Sequence, residues 1–519
     1  MAAVFVAATV LAGCIALSAA ESKPSTPTVP IGTTASRPNI VFVLTDDLSS
    51  NLVPYMPHVQ AMMRHGATFS NYFVTDSLCC PSRTSIFTGL YPHSSGVFTN
   101  WGNNGGFYAF NGYGNASRTF AVSLQRRGYR TALMGKYLNG YEPSMRFQFA
   151  RPYVPEGWTD WAVAGQAYDE YTYRLNENHR IVRYGGGSQD YLTNVLAGLG
   201  QKYVDDATPT DDNSPRQPFL LELSTFAPHS PSVPAKRDLH KFNFVLAPRT
   251  PAFGHHDRVG NPRWLDLPEL TPHAIRRIDR EFRRRVRSVQ AIDRMVGALQ
   301  RQIRDRGLSQ NTYFVFSSDN GYHMGEHRLR PGKMTAFDTD IRVPLVVVGP
   351  GIRPGMRIDA LAENIDLAPT FEELAGHASS PAVEGRSLVP LLMGQEPADW
   401  RNAVLVEHRG PDENPSDPDF PEPGSGNPPS YKAIRFADAL YVEYGDGEHE
   451  YYDLAADPFE LRNVYADLDI RRRAHLHRYV VEFARCHGAA ECHRADQLLP
   501  PPSQPSSTPT TFLPMASRS

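Results

Sequence analysis

Two pairs of hard oxygen donors punctuate the sequence. Asp46-Asp47 follows the apolar run Ile40–Leu44, and Asp319-Asn320 follows Tyr313–Phe316 after two serines. Such runs read as β-strands, and in an open α/β sheet the C-terminal strand ends face the ligand crevice, so both pairs can converge on one point. Three carboxylates and an amide oxygen make a hard, all-oxygen donor set suited to Ca²⁺ or Mg²⁺. Taken singly, either pair would pass for a helix cap or an Asx-turn. A further chemical feature is Cys79-Cys80-Pro81-Ser82-Arg83-Thr84-Ser85, running on to Thr88-Gly89. Read for its backbone alone, it is a tight turn, with φ fixed by Pro81, entering a helix around Arg83–Phe87. Arginine heavily outnumbers lysine, so Lys136, after the strand-like Ala132-Leu133-Met134, and Lys333, in the turn-like Pro331-Gly332-Lys333-Met334, stand out. His229 follows another strand-like run and is stiffened by prolines on both sides, in Ala227-Pro228-His229-Ser230-Pro231.

The elements that must carry these groups are legible from hydrophobic patterning. Ile40–Leu44, Phe219–Leu223, Tyr313–Phe316 and Leu345–Val348 are nearly unbroken apolar runs, the pattern of strands buried on both faces of a parallel sheet. Between them lie amphipathic stretches such as Phe282–Gln300, where Val286, Val289, Ile292, Val296 and Leu299 recur at helical spacing. The expected fold is therefore α/β, with a large mixed, mostly parallel sheet sandwiched by helices over residues 39–378. From about Ser379 the pattern changes to short strands, Ala403–Val406, Lys432–Phe436, Leu440–Tyr444 and Tyr451–Leu454, followed by a helix over Asp469–Cys486. This predicts a smaller C-terminal antiparallel subdomain over residues 379–497. The Pro/Asp/Gly-rich Gly410–Ser430 loop, with Trp101–Tyr113 and Phe253–Trp264, is expected to line the pocket.

At 519 residues and 41% hydrophobic content the chain can bury a sizeable core in one large and one small domain. A formal net charge of −3 gives no reason to expect nucleic acid as a partner. Residues 1–20 read as a secretory signal, too short and alanine-rich to span a membrane. Within them Leu11-Ala12-Gly13-Cys14 has the form of a lipobox, which would lipidate Cys14 and tether the protein to the cell envelope; cleavage after Ala20 would instead secrete it. Residues 21–38 form a Ser/Thr/Pro-rich stretch expected to be a flexible linker, and residues 498–519 a similar tail expected to be disordered. In an exported protein Cys486 and Cys492 are expected to close a small disulfide loop, with a zinc site using His487 and His493 as the rival reading. The sequon Asn115-Ala116-Ser117 would matter only in a eukaryotic secretory pathway.

With these residues in view, the chain resembles the type I sulfatases of the alkaline-phosphatase superfamily from about Arg37 to Asp496. The doubled Cys79-Cys80, Gly135-Lys136-Tyr137-Leu138-Asn139 and Ala227-Pro228-His229-Ser230-Pro231 resemble the N-acetylglucosamine-6-sulfatase and extracellular endosulfatase branch, alongside arylsulfatases. The resemblance implies that Cys79 is converted to formylglycine (3-oxoalanine) by a formylglycine-generating enzyme. It implies Asp46, Asp47, Asp319, Asn320 and the residue-79 oxygen as metal ligands, with Lys136, His229 and Lys333 on the sulfate and Arg83 orienting residue 79. The implied substrate is a sulfated sugar or aryl sulfate. Related readings are a phosphonate or phosphate ester hydrolase, or a sulfated-glycan binder with unmodified Cys79. One departure is evident: many relatives place a histidine after the lysine, in a G-K-W-H pattern, where this chain has Asn139, which cannot take a proton at neutral pH. His323, close to Asp319-Asn320, is the substitute candidate for that base.

Overall fold

The apolar runs do form strands, and their side chains alternate between two separate cores. In the computed structural model, described over residues 37–146, 150–209, 217–255 and 260–497, Ile40, Phe42 and Leu44 enter one core while Val41 and Val43 enter the other. The signal, the lipobox at Cys14, most of the linker and the tail lie outside the described residues.

Ten strands make the large sheet, in the spatial order Met356–Ile358, Ala67–Phe69, Leu345–Val348, Thr312–Ser318, Asn39–Thr45, Phe219–Ser224, Arg130–Gly135, Asp160–Ala164, Arg174–Glu177, Arg180–Arg183. The five central strands, from Thr312–Ser318 to Asp160–Ala164, are mutually parallel. Leu345–Val348 departs from expectation, since it pairs antiparallel with both neighbours. Its apolar run reports burial on two faces and carries no information on direction. One face of the sheet is covered by the long helix Pro272–Asp305 with Leu192–Ala207, the other by Cys79–Thr88, Phe120–Arg126 and Leu367–Leu374.

The long helix starts ten residues before the amphipathic stretch first becomes obvious in sequence. Thr271 caps it by accepting from the Ala274 N–H, Pro272 fits its first turn, and Ala274, Ile278 and Phe282 continue the buried stripe beneath the arginines. The antiparallel C-terminal sheet comprises Ala403–His408, Tyr431–Phe436, Ala439–Tyr444 and His449–Asp453 in sequential order. Helix Ile470–Phe483 packs on it, capped by Asp469, and the Cys486–Cys492 disulfide leads into a last helix, Gly488–Ala495. Asn115 of the sequon is buried, with its Nδ2 donating to the Ser95 carbonyl at 2.9 Å, so it presents no accessible acceptor.

Buried ion pairs tie the segments flanking the C-terminal sheet to the helical region that precedes it. Arg401, just before the first C-terminal strand, grips Asp366 with both terminal nitrogens at 2.6 and 2.9 Å, and Arg386 grips Asp496 at 2.7 and 3.0 Å. Both members of the Arg401–Asp366 pair are buried, so removing one strands the other charge. Arg401→Ala is expected to lower stability by about 3–5 kcal/mol, read as an earlier urea midpoint.

Candidate active site

The central strands deliver the site. Asn39–Thr45 ends at Asp46-Asp47 and its parallel neighbour Thr312–Ser318 ends at Asp319-Asn320, so the two donor pairs emerge side by side. They interlock: the Asp47 N–H donates to Asp319 Oδ1 at 3.1 Å, and Asn320 Nδ2 to Asp47 Oδ1 at 2.7 Å. Asp47 has φ of 65°, a left-handed conformation that aspartate tolerates better than most side chains. The buried Arg285 of the long helix stabilises that bend by donating to the Asp47 carbonyl.

Cys79 is the first residue of the Cys79–Thr88 helix, which begins earlier than the turn-into-helix reading placed it and ends on Gly89 in a left-handed cap. Its Sγ lies 3.1 Å from Asp46 Oδ1, 4.0 Å from Asp47 Oδ1 and 2.9 Å from Lys333 Nζ. Cys80 is buried in the core and not disulfide-bonded. One turn on, the fully buried Arg83 donates from Nε to Asp319 Oδ2 at 2.8 Å and from Nη1 to Ser224 Oγ at 2.6 Å.

The other cations arrive from neighbouring strand ends and loops. Lys136 follows strand Arg130–Gly135 and reaches Asp46 Oδ2 at 2.6 Å. Gly135 makes this entry possible: a Cβ there would lie 1.8 Å from the Ser224 carbonyl oxygen. Lys333 contacts Asp47 Oδ1 at 2.6 Å. His229 sits beyond strand Phe219–Ser224, between cis Ala227–Pro228 and cis Ser230–Pro231 peptides, with Nε2 at 3.7 Å from Asp47 Oδ2. Its Nδ1 bonds the Ser230 carbonyl at 2.6 Å, and its ring lies 4.4 Å from that of Tyr168, which also faces Lys136.

The charges fix protonation states. Burial works to raise the Asp46 pKa, but Lys136, His229, Arg83 and Lys333 overcome it and hold the carboxyl well below its usual range. Burial works to lower the His229 pKa, and the carboxylates Asp47, Asp419 and Asp46 reverse this, so the imidazole stays protonated above its ordinary range. At Cys79, burial and then the charges of Asp419 and Asp46 push the thiol far up, against Lys136 and Lys333. The residue at this position is therefore a neutral thiol and a poor nucleophile.

The donor set fits a hard divalent cation. Donor atoms of Asp46, Asp47, Cys79 and His229 lie within 4.8 Å of one another, and Asn320 Oδ1 is a buried acceptor with no partner among the described residues. Apart from the sulfur and the imidazole these are oxygens, the preference of Ca²⁺ and Mg²⁺.

His323 stands differently from the others. Its Nδ1 bonds both Asp340 oxygens, at 3.0 and 2.9 Å, and its Nε2 bonds the Ser425 carbonyl at 3.0 Å. Burial would lower its pKa, yet Asp340 raises it, so the ring is a double donor bracing the Gly410–Ser430 loop and has no lone pair for a proton. Asn139 is buried beside Lys136, Trp101 and Tyr168, both side-chain polar atoms lacking partners among the described residues.

One charged member of the cluster was not foreseen. Asp419, at the tip of the Gly410–Ser430 loop, bonds His229 Nε2 at 2.6 Å and Lys333 Nζ at 2.7 Å. With Pro418, Phe420, Pro421 and Glu422 it walls a cavity of about 370 Å³ that reaches Asp47, His229 and Lys333. The loop's composition marked it as pocket-lining; nothing in the sequence marked Asp419 over its acidic neighbours.

A family model described as Sulfatase matches residues 38–377, and one described as N-sulphoglucosamine sulphohydrolase, C-terminal, matches residues 325–484. The chain is 34% identical over 462 residues to the N-acetylglucosamine-6-sulfatase of Homo sapiens, covering 83% of this chain and 82% of that protein. Its fold is similar to that of BT4656, solved in complex with its substrate D-glucosamine-2-N,6-O-disulfate, with a TM-score of 0.69 at 22% identity over 89% of this chain and 99% of the other. A phosphonate monoester hydrolase from Silicibacter pomeroyi is similar in fold too, with a TM-score of 0.63 at 21% identity over 86% and 94% of the two chains.

Proposed function

This chain belongs to the sulfatase family and is a sulfuric ester hydrolase, and on that premise we propose that it releases sulfate from a sulfated amino sugar. In this reading residue 79 is converted to formylglycine by a formylglycine-generating enzyme, and a Ca²⁺ or Mg²⁺ ion is held by Asp46, Asp47, Asp319 and Asn320. The observation that carries it is a mismatch of chemistry: a thiol, softest of the available ligands, sits 3.1 Å from Asp46 Oδ1 and 2.9 Å from Lys333 Nζ, among hard oxygen donors and four cationic side chains. An oxygen-bearing residue at that position removes the mismatch. The substrate class rests on the relatives described as N-acetylglucosamine-6-sulfatases and on the similarly folded BT4656 bound to D-glucosamine-2-N,6-O-disulfate.

The hydrated aldehyde supplies an oxygen nucleophile at position 79, and the ion supplies positive charge for the ester oxygens. The chain's own residues do the rest. Lys136 and Lys333 bind the sulfate oxygens and carry the charge that builds there during transfer. Arg83, anchored on Asp319 and Ser224, fixes the start of the Cys79–Thr88 helix and with it the direction of residue 79. His229, protonated at Nε2, donates to the departing alcohol oxygen. Having given that proton, it is the group in the cluster able to take one back, a role His323 is too fully engaged to fill.

The disulfide accords with export into an oxidising compartment, as a secreted protein or as an envelope lipoprotein through Cys14. Peptide mass spectrometry across residue 79 of protein from its native host tests the proposal. The thiol-to-aldehyde mass loss is expected. An unmodified thiol would sink this mechanism and favour a glycan binder. Parallel assays with aryl sulfate and phosphonate monoester substrates test the phosphonate ester hydrolase reading, for which a common fold is the sole support.

A further inference from the structure

The cations that the proposed reaction needs for the sulfate group are already bonded to an anion of the chain itself. Lys333 Nζ, with three N–H donors, hydrogen-bonds Asp47 Oδ1 at 2.6 Å and Cys79 Sγ at 2.9 Å and forms an ion pair with Asp419 Oδ1 at 2.7 Å. His229 has two ring donors, one on the Ser230 carbonyl and the other, Nε2, on the same Asp419 oxygen at 2.6 Å. Asp419 Oδ2 takes a further bond from Asn100 Nδ2 at 2.7 Å, so the carboxylate, on a backbone that is only half-buried, is itself enclosed and fully engaged. While it stays there, Lys333 has no donor to spare for a sulfate oxygen and His229 has no proton pointing at a leaving group.

The loop carrying Asp419 is built to give way at its tip. Its base is pinned by backbone and side chain: Ser430 N to the Gly410 carbonyl at 3.1 Å, and Asn427 to Asp412 in both directions at 2.8 and 2.9 Å. Its returning limb is held by the Gly424 and Ser425 carbonyls, which accept from Arg330 N and His323 Nε2. Residues 418–422 differ. Among the described residues they make no backbone hydrogen bond to the body, Phe420 is 40% exposed, and attachment is by Asp419 and by a Glu422–Arg277 ion pair open to solvent. An exposed pair of that kind contributes little. The tip is therefore held by the same His229 and Lys333 that an incoming anion requires, with Asn100 as a third anchor on Asp419.

We propose that Asp419 is a resident competitor for the sulfate site and that residues 418–422 form a strap displaced when a sulfate ester or free sulfate binds. The inference deepens the proposed function and rests on it for the roles of Lys333 and His229. The anion replaces the carboxylate on both cations, Asp419 swings out with the tip, and the pinned base returns it after sulfate leaves. The apparent affinity for an anion is then lowered by the fraction of molecules in which the strap is open.

Calorimetric titration with inorganic sulfate and kinetics with 4-nitrophenyl sulfate test this on protein from the native host. Asp419→Asn is expected to tighten sulfate binding and lower KM by about tenfold, and Arg277→Ala to act in the same direction by about two- to threefold. A charge change alone could tighten sulfate, so hydrogen exchange of the unaltered protein is the second readout: exchange of the Asp419 and Phe420 amides, both bonded to the buried, Asn100-held Asp417, should rise on saturation with sulfate as the tip swings away. Unchanged or slower exchange there, or weaker sulfate binding by Asp419→Asn, overturns the strap. If the chain released no sulfate from either 4-nitrophenyl sulfate or 6-sulfated glucosamine, the functional reading would fall, while sulfate titration and exchange would still decide whether the strap moves.

Discussion

Cys79→Ala is expected to reduce sulfate-ester turnover by about 10⁴-fold or more while leaving the fold and sulfate binding in place. Only the atom beyond Cβ is lost, and with it the aldehyde, at the first residue of a helix whose backbone bonds do not depend on it. The groups proposed to hold sulfate, Lys136, Lys333 and His229, come from three other segments and keep Asp46, Asp47 and Asp419 as partners. A nucleophile deletion with binding retained should therefore appear as a collapse of kcat, with the inorganic sulfate Kd within a few-fold of the original. Residual turnover within about tenfold of the parent would mean that residue 79 does not carry the reaction. Arg83→Ala should be harsher on the protein itself, because it strands a buried Asp319 carboxylate as well as freeing residue 79 to rotate.

The parts of the site that were legible in the sequence are those whose signal is local. Asp46-Asp47 and Asp319-Asn320 terminate unbroken apolar runs, and strands of that kind lie side by side in a parallel sheet, so convergence followed from topology alone. Lys136 and Lys333 stood out because lysine is scarce in this chain, and His229 because prolines flank it. Arg285 illustrates the opposite case. It supports the Asp47 bend from within an arginine-rich helix, where its neighbours Arg283, Arg284 and Arg287 are the same residue type. The alternation of that helix says which face is buried, yet it cannot say that a buried arginine there meets the Asp47 carbonyl.

Asp419 was hidden for a different reason. It comes from the segment joining the first two C-terminal strands, some 370 residues in sequence from Asp46-Asp47, on a loop whose composition predicts irregular backbone and nothing about where its tip lands. Long-range docking of a polar loop is decided by charge complementarity with groups that sequence alone does not place together. The same limitation applies to His323. Its nearness in sequence to Asp319-Asn320 suggested a base, but the His323 backbone pairs with Gly332, and the ring meets Asp340 and Ser425 in place of the cluster. The direction of Leu345–Val348 and the early start of the long helix were missed likewise, since burial patterns encode faces and leave strand polarity and polar first turns open.

Dialysis against a chelator is expected to abolish turnover, with Ca²⁺ or Mg²⁺ restoring it and Zn²⁺ failing to do so. The proposed ligands are three carboxylates and the Asn320 amide oxygen, a buried acceptor without a partner among the described residues, and a set of that hardness selects among cations by chemistry. Binding should also stabilise the fold, because the ligands come from two strand ends that are adjacent only in the native sheet. At a free metal concentration of 100 times Kd this linkage amounts to about 2.7 kcal/mol, visible as a rise in Tm that depends on metal concentration. Asp47→Asn should weaken that rise more than any other single ligand change. Asp47 accepts from Lys333 and Asn320, lies beside His229, and holds a left-handed backbone that no other ligand shares. Its replacement therefore removes a ligand charge and loosens two cations at once, so the metal Kd and the KM should rise together. If Zn²⁺ restored turnover where Ca²⁺ and Mg²⁺ did not, sulfur or imidazole would have to be coordinating, and Cys79 would be acting as the thiol that its buried, carboxylate-flanked position disfavours.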